Sequence, residues 1–186
     1  RMATGRPRAF DRDAAMLVAM ERFWRDGYEQ TTVAKLTEAM GIAAPSLYAA
    51  FGDKDQLFQT AARHYFATIS ARFDAVLALP TFQQSIEEML RLSAQAHTDA
   101  GTPAGCFMAT EPRLADYRTS LRDRLTQRAE RGIAEGDLPA GTDARQLADY
   151  VMAVHSGMSS RARDGGTTAE VMAIAEVALA ALPQHG

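Results

Sequence analysis

Hydrophobic and polar positions along the chain follow a helical period, because apolar side chains recur every three or four residues. No stretch shows the alternation with a period of two that is typical of a half-buried strand. Short segments containing Gly or Pro separate the apolar stripes. The pattern therefore predicts an all-α fold of about nine helices, over residues 11–26, 32–40, 44–51, 54–79, 82–99, 106–116, 118–135, 143–163 and 167–182.

Residues 31–51 have the pattern of two short helices joined by a tight turn. Thr31 or Thr32 can cap the first helix, and Gly41 can adopt the left-handed conformation that ends it. Pro45 suits the first turn of the second helix, where its missing N–H is no loss. Such a pair is typical of a DNA-binding helix-turn-helix, although an ordinary helical hairpin has the same pattern.

The charge of the chain is unevenly distributed. The formal net charge of −3 argues against a globally basic protein that coats nucleic acid. Residues 1–64 nevertheless carry nine Lys and Arg against eight Asp and Glu, whereas residues 65–186 carry eleven against fifteen. Arg6 and Arg8 lie at the N-terminal end with no acidic residue among them. This distribution indicates a local anionic partner for the N-terminal part.

A single cysteine limits the chemistry that the chain can support. We exclude a disulfide framework and a Cys-based zinc site, and we expect neither a metal nor a cofactor. No apolar run reaches the roughly 20 residues that a bilayer span requires, so we expect no membrane partner. A chain with few cysteines and no secretory pattern is expected in the cytoplasm.

Three segments carry a family resemblance: GRPRAF, FWRDGYEQTTVAKLTEAMGI and PSLYAAFGDKDQLF. Together they resemble the N-terminal domain of the TetR family of transcriptional repressors. GCFM after a Gly/Pro loop, and the last helix pair, are more loosely similar to its C-terminal domain. The resemblance implies a DNA-binding domain over residues 1–53 and an effector-binding and dimerisation domain over residues 54–186. It also implies a homodimer that binds double-stranded operator DNA and is released by a small-molecule effector.

The resemblance implies DNA-binding roles for matching positions in the first domain. Arginines in the N-terminal arm would reach a minor groove, and threonines at a helix start would face phosphate oxygens. A tyrosine hydroxyl and a lysine ammonium would contact phosphate, positioning the protein without reading sequence. The residues in these roles are Arg6, Arg8, Thr31, Thr32, Tyr48 and Lys54, and Ala43, Ala44 and Ser46 open the recognition helix.

Two of these positions depart from the family pattern. Where many relatives have a serine cap and a polar reader, this chain has Ala43 and Ala44. Alanine can make only apolar contacts, for example with a thymine methyl group. Base recognition is therefore expected to depend on Ser46, backbone groups and the shape of the DNA.

The second domain contains methionines, aromatic residues and a few polar groups that could line an apolar ligand pocket. A plain packed core has the same composition, and the resemblance is what favours a pocket for a small apolar effector. The candidate ligand-binding residues are Phe66, Met89, His97, Cys106, Phe107, Tyr117, Met152 and His155.

Cys106 leaves a second mode of regulation open. A thiol at the start of a predicted helix would have a lowered pKa and could sense oxidants or electrophiles. A buried structural cysteine is the other interpretation.

Two other classes of protein are less consistent with the sequence. A helical-bundle enzyme would need Glu-x-x-His pairs, a phosphate-binding loop or a nucleophile elbow, and the chain has none of these. A helical adaptor without a DNA role would not explain the basic arm, nor Lys54 beside the Gly-turn-Pro motif. We therefore predict a regulator and not an enzyme.

The last two predicted helices, 143–163 and 167–182, carry long apolar stripes. The stripes include Val151 and Val177 and exceed what one thin domain can cover. Packing against the same pair from a second copy would form a four-helix interface with two-fold symmetry.

Overall fold

The computed structural model describes residues 11–183, so Arg6 and Arg8 lie outside the described residues. Within this range the fold is all-α, as predicted, with nine α-helices and no strand. The helices are α1 (Arg12–Asp26), α2 (Val33–Met40), α3 (Ala44–Phe51), α4 (Lys54–Leu77), α5 (Phe82–His97), α6 (Phe107–Thr110), α7 (Ala115–Ala134), α8 (Ala144–Arg163) and α9 (Thr168–Ala180).

One predicted helix is wrong in length. The sequence pattern predicts a helix over 106–116, but α6 has only four residues and a 3-10 turn follows at Pro112–Leu114. Proline disfavours the helical conformation in the residue before it, and Glu111 is extended, with a ψ of 116°. The Glu111 carboxylate instead accepts a hydrogen bond from the backbone N–H of Arg113.

The chain divides into two compact units, residues 1–64 (unit 1) and residues 65–186 (unit 2). The sequence-based boundary at residues 53 and 54 lies before α4, whereas the boundary between the units lies within that helix. The difference has a physical reason, because Leu57 and Phe58 on the first turns of α4 are fully buried. Phe58 contacts two aromatic rings of unit 1, those of Phe23 and Tyr28.

Unit 1 consists of α1, α2, α3 and the first turns of α4. Asp11 caps α1 by accepting from two backbone N–H groups, and Thr32 caps α2 by accepting from the N–H of Lys35. Gly41 ends α2 with a φ of +66°, a left-handed conformation that glycine adopts without steric strain. Leu47 on α3 is fully buried. Local capping and turn chemistry thus form the helix pair that the sequence predicts.

Unit 2 is built around α5, α7, α8 and α9, whose apolar faces form one core. Reciprocal capping boxes begin α5 and α9, at Thr81 with Gln84 and at Thr167 with Glu170. Val151, which the sequence assigns to a dimer interface, is only 1% exposed and belongs to this core. The apolar stripe of α8 that contains Val151 is thus buried within one protomer.

None of the helices in residues 11–183 is both long and apolar enough to cross a lipid bilayer.

Candidate DNA-binding and effector sites

Helix α3 presents an exposed face immediately after the Gly41 turn. Ala43, Pro45 and Ala49 are exposed, and the Tyr48 side chain is half-exposed. Ala43 is the N-cap of α3 and makes no side-chain capping bond, so the first N–H groups of this helix are not capped by that residue. A short helix with small side chains and an exposed phenol can approach the edges of a major groove closely.

The remaining candidate residues of α3 are less exposed. Ala44 and Ser46 are partly buried, and the backbone N–H of Ser46 donates to the carbonyl of Ala43 at 3.0 Å. The Arg12 guanidinium donates to the Ala50 carbonyl at 3.1 Å and lies over the Phe51 ring. These contacts fix the orientation of α3 against α1 and keep its exposed face accessible.

The two threonines at the start of α2 have different environments. Thr32 is exposed and its hydroxyl caps the helix. Thr31 is fully buried, and its hydroxyl donates to the Gly27 carbonyl at 2.7 Å. The assignment of the Thr31 side chain to a phosphate contact therefore needs correction, because its hydroxyl serves the fold of unit 1.

Lys54 begins α4 and its ammonium group lies 4.0 Å from the centroid of the Tyr28 ring. This cation–π contact holds the lysine side chain in place while leaving its N–H groups available to an anion. Lys35, which the sequence pattern did not indicate, is exposed in the first turn of α2 and donates to the Gln30 carbonyl. The chain has only these two lysines, so the sequence alone could have marked both as candidates for binding an anion.

The ligand-binding candidates of unit 2 separate into several environments. Met89 and Phe107 are buried, at 7% and 0% exposure, and act as core residues. The Phe107 ring contacts Tyr65 edge to face, and Phe66 and Tyr117 form a second aromatic pair with centroids 4.7 Å apart. The predicted ligand-binding residues are thus distributed over several environments of unit 2.

A surface cavity of about 310 Å³ lies between α7 and α8. Met152 is the one predicted ligand-binding residue that lines it. Its rim is polar, because the Arg122 guanidinium and the Asp149 carboxylate form an ion pair at 3.4 Å. The remaining lining residues are Ala115, Arg118, Thr119, Ala153 and Ser156. This cavity differs from the enclosed apolar pocket that the sequence predicts.

Three other candidates, His97, Cys106 and His155, meet in one place. One possible ligand atom from each lies within 4.8 Å of the others. The two imidazole rings contact edge to face, with centroids 4.8 Å apart. Sequence spacing excludes only metal sites whose ligands lie close together along the chain. It cannot reveal ligands that converge from three elements of the fold.

Burial controls the protonation of this cluster. Desolvation lowers the pKa of His97 to about 3, with a further contribution from His155, and lowers the pKa of His155 to about 4. Both imidazoles are therefore neutral near pH 7.

Burial also raises the pKa of the Cys106 thiol, although a hydrogen bond from Tyr65 acts in the opposite direction. The expectation of a thiol activated by a helix N-terminus is corrected, since α6 has four residues and desolvation dominates.

The family of the chain follows from comparison with known proteins. The sequence model described as "Bacterial regulatory proteins, tetR family" matches residues 16–61. The repressor ComR of Escherichia coli is 34% identical over 97% of this chain and 92% of that protein. The repressor BdcR of the same organism is 28% identical over 94% of this chain and 90% of that protein.

Solved structures agree with this assignment. A cysteine mutant of the TetR family regulator CifR, complexed with 26-bp double-strand operator DNA, is 38% identical and superimposes with a TM-score of 0.90. The similarity covers 96% of this chain and 100% of that chain. The chain belongs to the TetR family of helix-turn-helix transcriptional regulators. It is accordingly a transcriptional repressor and not an enzyme.

Proposed function

We propose that the chain represses transcription by binding a palindromic operator as a homodimer, with α3 in the major groove. The observation that carries the proposal is the half-exposed Tyr48 on a short helix that follows the left-handed Gly41 turn. CifR, whose fold is the same, is complexed with operator DNA. Operator binding would place the protein with the bacterial genome, in the cytoplasm.

Some of the proposed contacts position the protein on the DNA, and others recognise the base sequence. The Tyr48 hydroxyl and the Lys54 ammonium would bind phosphate oxygens, and the exposed Thr32 would hold the start of α2 beside the same strand. Ala43 and Ala44 would contact thymine methyl groups, and Ser46 would supply a polar contact to a base edge. In the N-terminal arm, Arg6 and Arg8 would enter the adjacent minor groove.

Substitution of the phosphate-binding residues should weaken DNA binding for every sequence alike. We expect Tyr48→Phe and Lys54→Ala each to lower affinity, and Lys54→Ala to reduce the slope of log K against log salt by about one unit. Fluorescence anisotropy with a labelled duplex at several salt concentrations measures both quantities. Arg63→Ala, which removes an exposed cation from the same unit, serves as the control.

Ser46→Ala should instead change the preference at one base position and leave the salt slope as it was. An unchanged slope in Lys54→Ala, or equal losses in Arg63→Ala, would contradict the assigned phosphate contacts.

We further propose that unit 2 binds a small apolar effector and that α4 transmits this binding. An effector changes DNA affinity only if it binds more tightly to the conformation that does not bind DNA. Helix α4 contributes Lys54 to the DNA-binding unit and Phe66 to the effector unit. A coupling free energy of about 1–3 kcal/mol would weaken operator binding roughly 5–150-fold. Regulation by the Cys106 thiol is less favoured, since the thiol is buried and its pKa is raised.

The cavity between α7 and α8 is the most direct place to test effector binding. We expect anilinonaphthalene sulfonate, an apolar fluorescent anion, to bind the folded protein there, and Met152→Ala to weaken it about 5-fold, or about 1 kcal/mol. Met172→Ala is the matched control, because Met172 packs against the same core and does not line the cavity. If the two substitutions weaken probe binding equally, the probe does not bind in this cavity.

A further inference from the structure

The cluster of His97, Cys106 and His155 joins three elements of unit 2. His97 is the last residue of α5, Cys106 precedes α6, and His155 lies in the middle of α8. One possible ligand atom from each lies within 4.8 Å of the others. His97 and Cys106 are buried, and His155 is partly buried. Two imidazoles and one thiol thus converge inside a helical unit, where solvent is largely excluded.

The buried Nδ1 atom of His97 gives an independent indication that the cluster binds a ligand. This atom has no hydrogen-bond partner among the described residues, and the residue is only 4% exposed. Buried polar atoms are nearly always paired, so an unpaired one requires an explanation. Coordination of an ion by one imidazole nitrogen, with the other nitrogen oriented by its surroundings, is a common use of histidine.

The backbone around Cys106 is held firmly in position. Its N–H donates to the Ser159 hydroxyl at 2.8 Å, and the N–H of Gly105 donates to the His97 carbonyl at 2.9 Å. Gly105 has a φ of +79°, and a Cβ atom there would lie 2.8 Å from the Ser159 Oγ. Only glycine fits this position without displacing Ser159. The turn at Gly105 places the Cys106 thiol beside the end of α5.

A hydrogen bond to the sulfur favours its ionised form. The Tyr65 hydroxyl donates to the Cys106 Sγ at 3.4 Å. When a metal removes the thiol proton, this O–H group would stabilise the resulting thiolate, a role that outer partners of metal ligands commonly have. Phe107 packs against the Tyr65 ring and restricts its orientation.

The ligand set selects the kind of ion. Within the described residues the cluster contains no carboxylate, so hard cations such as Mg²⁺ and Ca²⁺ find none of their preferred oxygen ligands there. A thiolate with two imidazoles suits Zn(II) or Cu(I). Bonds of 2.0–2.3 Å place ligand atoms about 3.3–3.6 Å apart, so the separations of up to 4.8 Å would need to close by about 1 Å.

We propose that His97, Cys106 and His155 bind one thiophilic d10 ion, Zn(II) or Cu(I), inside unit 2. Each imidazole donates a nitrogen lone pair and remains neutral. The Cys106 thiol releases its proton to solvent and binds as the thiolate, so one proton leaves for each ion bound. Cu(I) gives a neutral three-coordinate site, whereas Zn(II) keeps one positive charge and takes a water molecule as its fourth ligand.

The test is metal binding to the untagged full-length chain, kept reduced and free of DNA. Zn(II) is titrated against a chromophoric chelator, Cu(I) against bicinchoninate without oxygen, and Co(II) replaces Zn(II) as a spectroscopic probe. We expect one ion per chain for at least one of Zn(II) and Cu(I). If Zn(II) is the ion, Co(II) should show a thiolate-to-metal charge-transfer band. Cys106→Ser and His155→Ala should each weaken binding more than about 100-fold.

His64→Ala is the matched control, because His64 is an exposed histidine outside the cluster. It should leave metal affinity unchanged. Circular dichroism of each variant verifies its fold, and His155→Ala provides the result if Cys106→Ser does not fold. The proposal is overturned if neither ion binds with one-to-one stoichiometry, or if both cluster variants bind as the unmodified chain does. Since the titrations contain no DNA, their failure would leave the proposed operator binding unaffected.

Discussion

Val177→Glu is expected to convert the proposed dimer into monomers and to weaken operator binding by about 10²–10⁴-fold, the avidity that two linked sites provide. Val177 is 74% exposed, which is unusual for a valine in a helix. The exposed residues of α9 around it include the small residues Ala169, Ala173 and Ala180, together with Glu170 and Glu176.

Helix α8 provides a compatible surface. Tyr150 is 38% exposed, and a Cβ atom added to the exposed Gly157 would meet no neighbouring atom. Small residues allow the helices of two copies to approach closely, and a two-fold interface would set the recognition helices about 34–36 Å apart, or a multiple of that distance. We therefore place the proposed dimer interface on these exposed faces of α8 and α9 and not on Val151.

Sedimentation velocity at micromolar concentration measures the oligomeric state, and anisotropy measures operator affinity. Gln127→Glu is the matched control, because it adds the same charge to an exposed position of α7. A Val177→Glu protein that stays dimeric, or a monomer in the unmodified protein, would refute the assigned interface.

Phe58→Ala is expected to destabilise unit 1 by about 3–5 kcal/mol and so to remove DNA binding at moderate temperature. Phe58 is fully buried, and its ring lies edge to face against Phe23 and Tyr28, with centroids 5.1 and 5.0 Å away. The loss of this ring leaves a cavity at the centre of the unit that contains α2 and α3. A loss of this size is a large part of the stability of a small domain.

The single tryptophan makes this effect measurable. Trp24 is buried in unit 1, so its fluorescence follows the unfolding of that unit, while far-ultraviolet circular dichroism is dominated by the longer unit 2. Phe73→Ala is the matched control, since Phe73 lies on the same helix but packs against the unit 2 core. We expect the two substitutions to shift different transitions. Equal shifts of both transitions by Phe58→Ala would contradict its assignment to unit 1.

Local signals were sufficient to predict most of the fold. Helix periodicity, Thr32 as a cap, Gly41 as a turn and Pro45 at a helix start act over a few residues, so the sequence displays them directly. The apolar pattern over 106–116 does not show where the helix ends, because Pro112 disfavours the helical conformation at Glu111. The boundary between the units could not be located in the same way, because the burial of Phe58 depends on residues that are distant in sequence.

The sequence indicates some residues of the candidate sites and not others. The resemblance proposes Tyr48 and Lys54 as DNA contacts, whereas the buried state of Thr31 depends on the carbonyl of Gly27, which only the fold brings to its hydroxyl. The convergence of His97, Cys106 and His155 involves separations along the chain that no motif describes. Sequence periodicity likewise identified an apolar stripe on α8 but could not distinguish a protomer core from an interface, and Val151 proved to belong to the core.

The proposed dimer binds specific duplex DNA through α3. The most direct measurement is anisotropy of the purified protein with duplex fragments selected from its source genome, over a range of salt concentrations. We expect a palindromic fragment to be bound at least about 10³-fold more tightly than unrelated DNA, and the logarithm of the affinity to fall linearly with the logarithm of the salt concentration. Absence of any enriched fragment, together with no salt-dependent binding at low ionic strength, would contradict it.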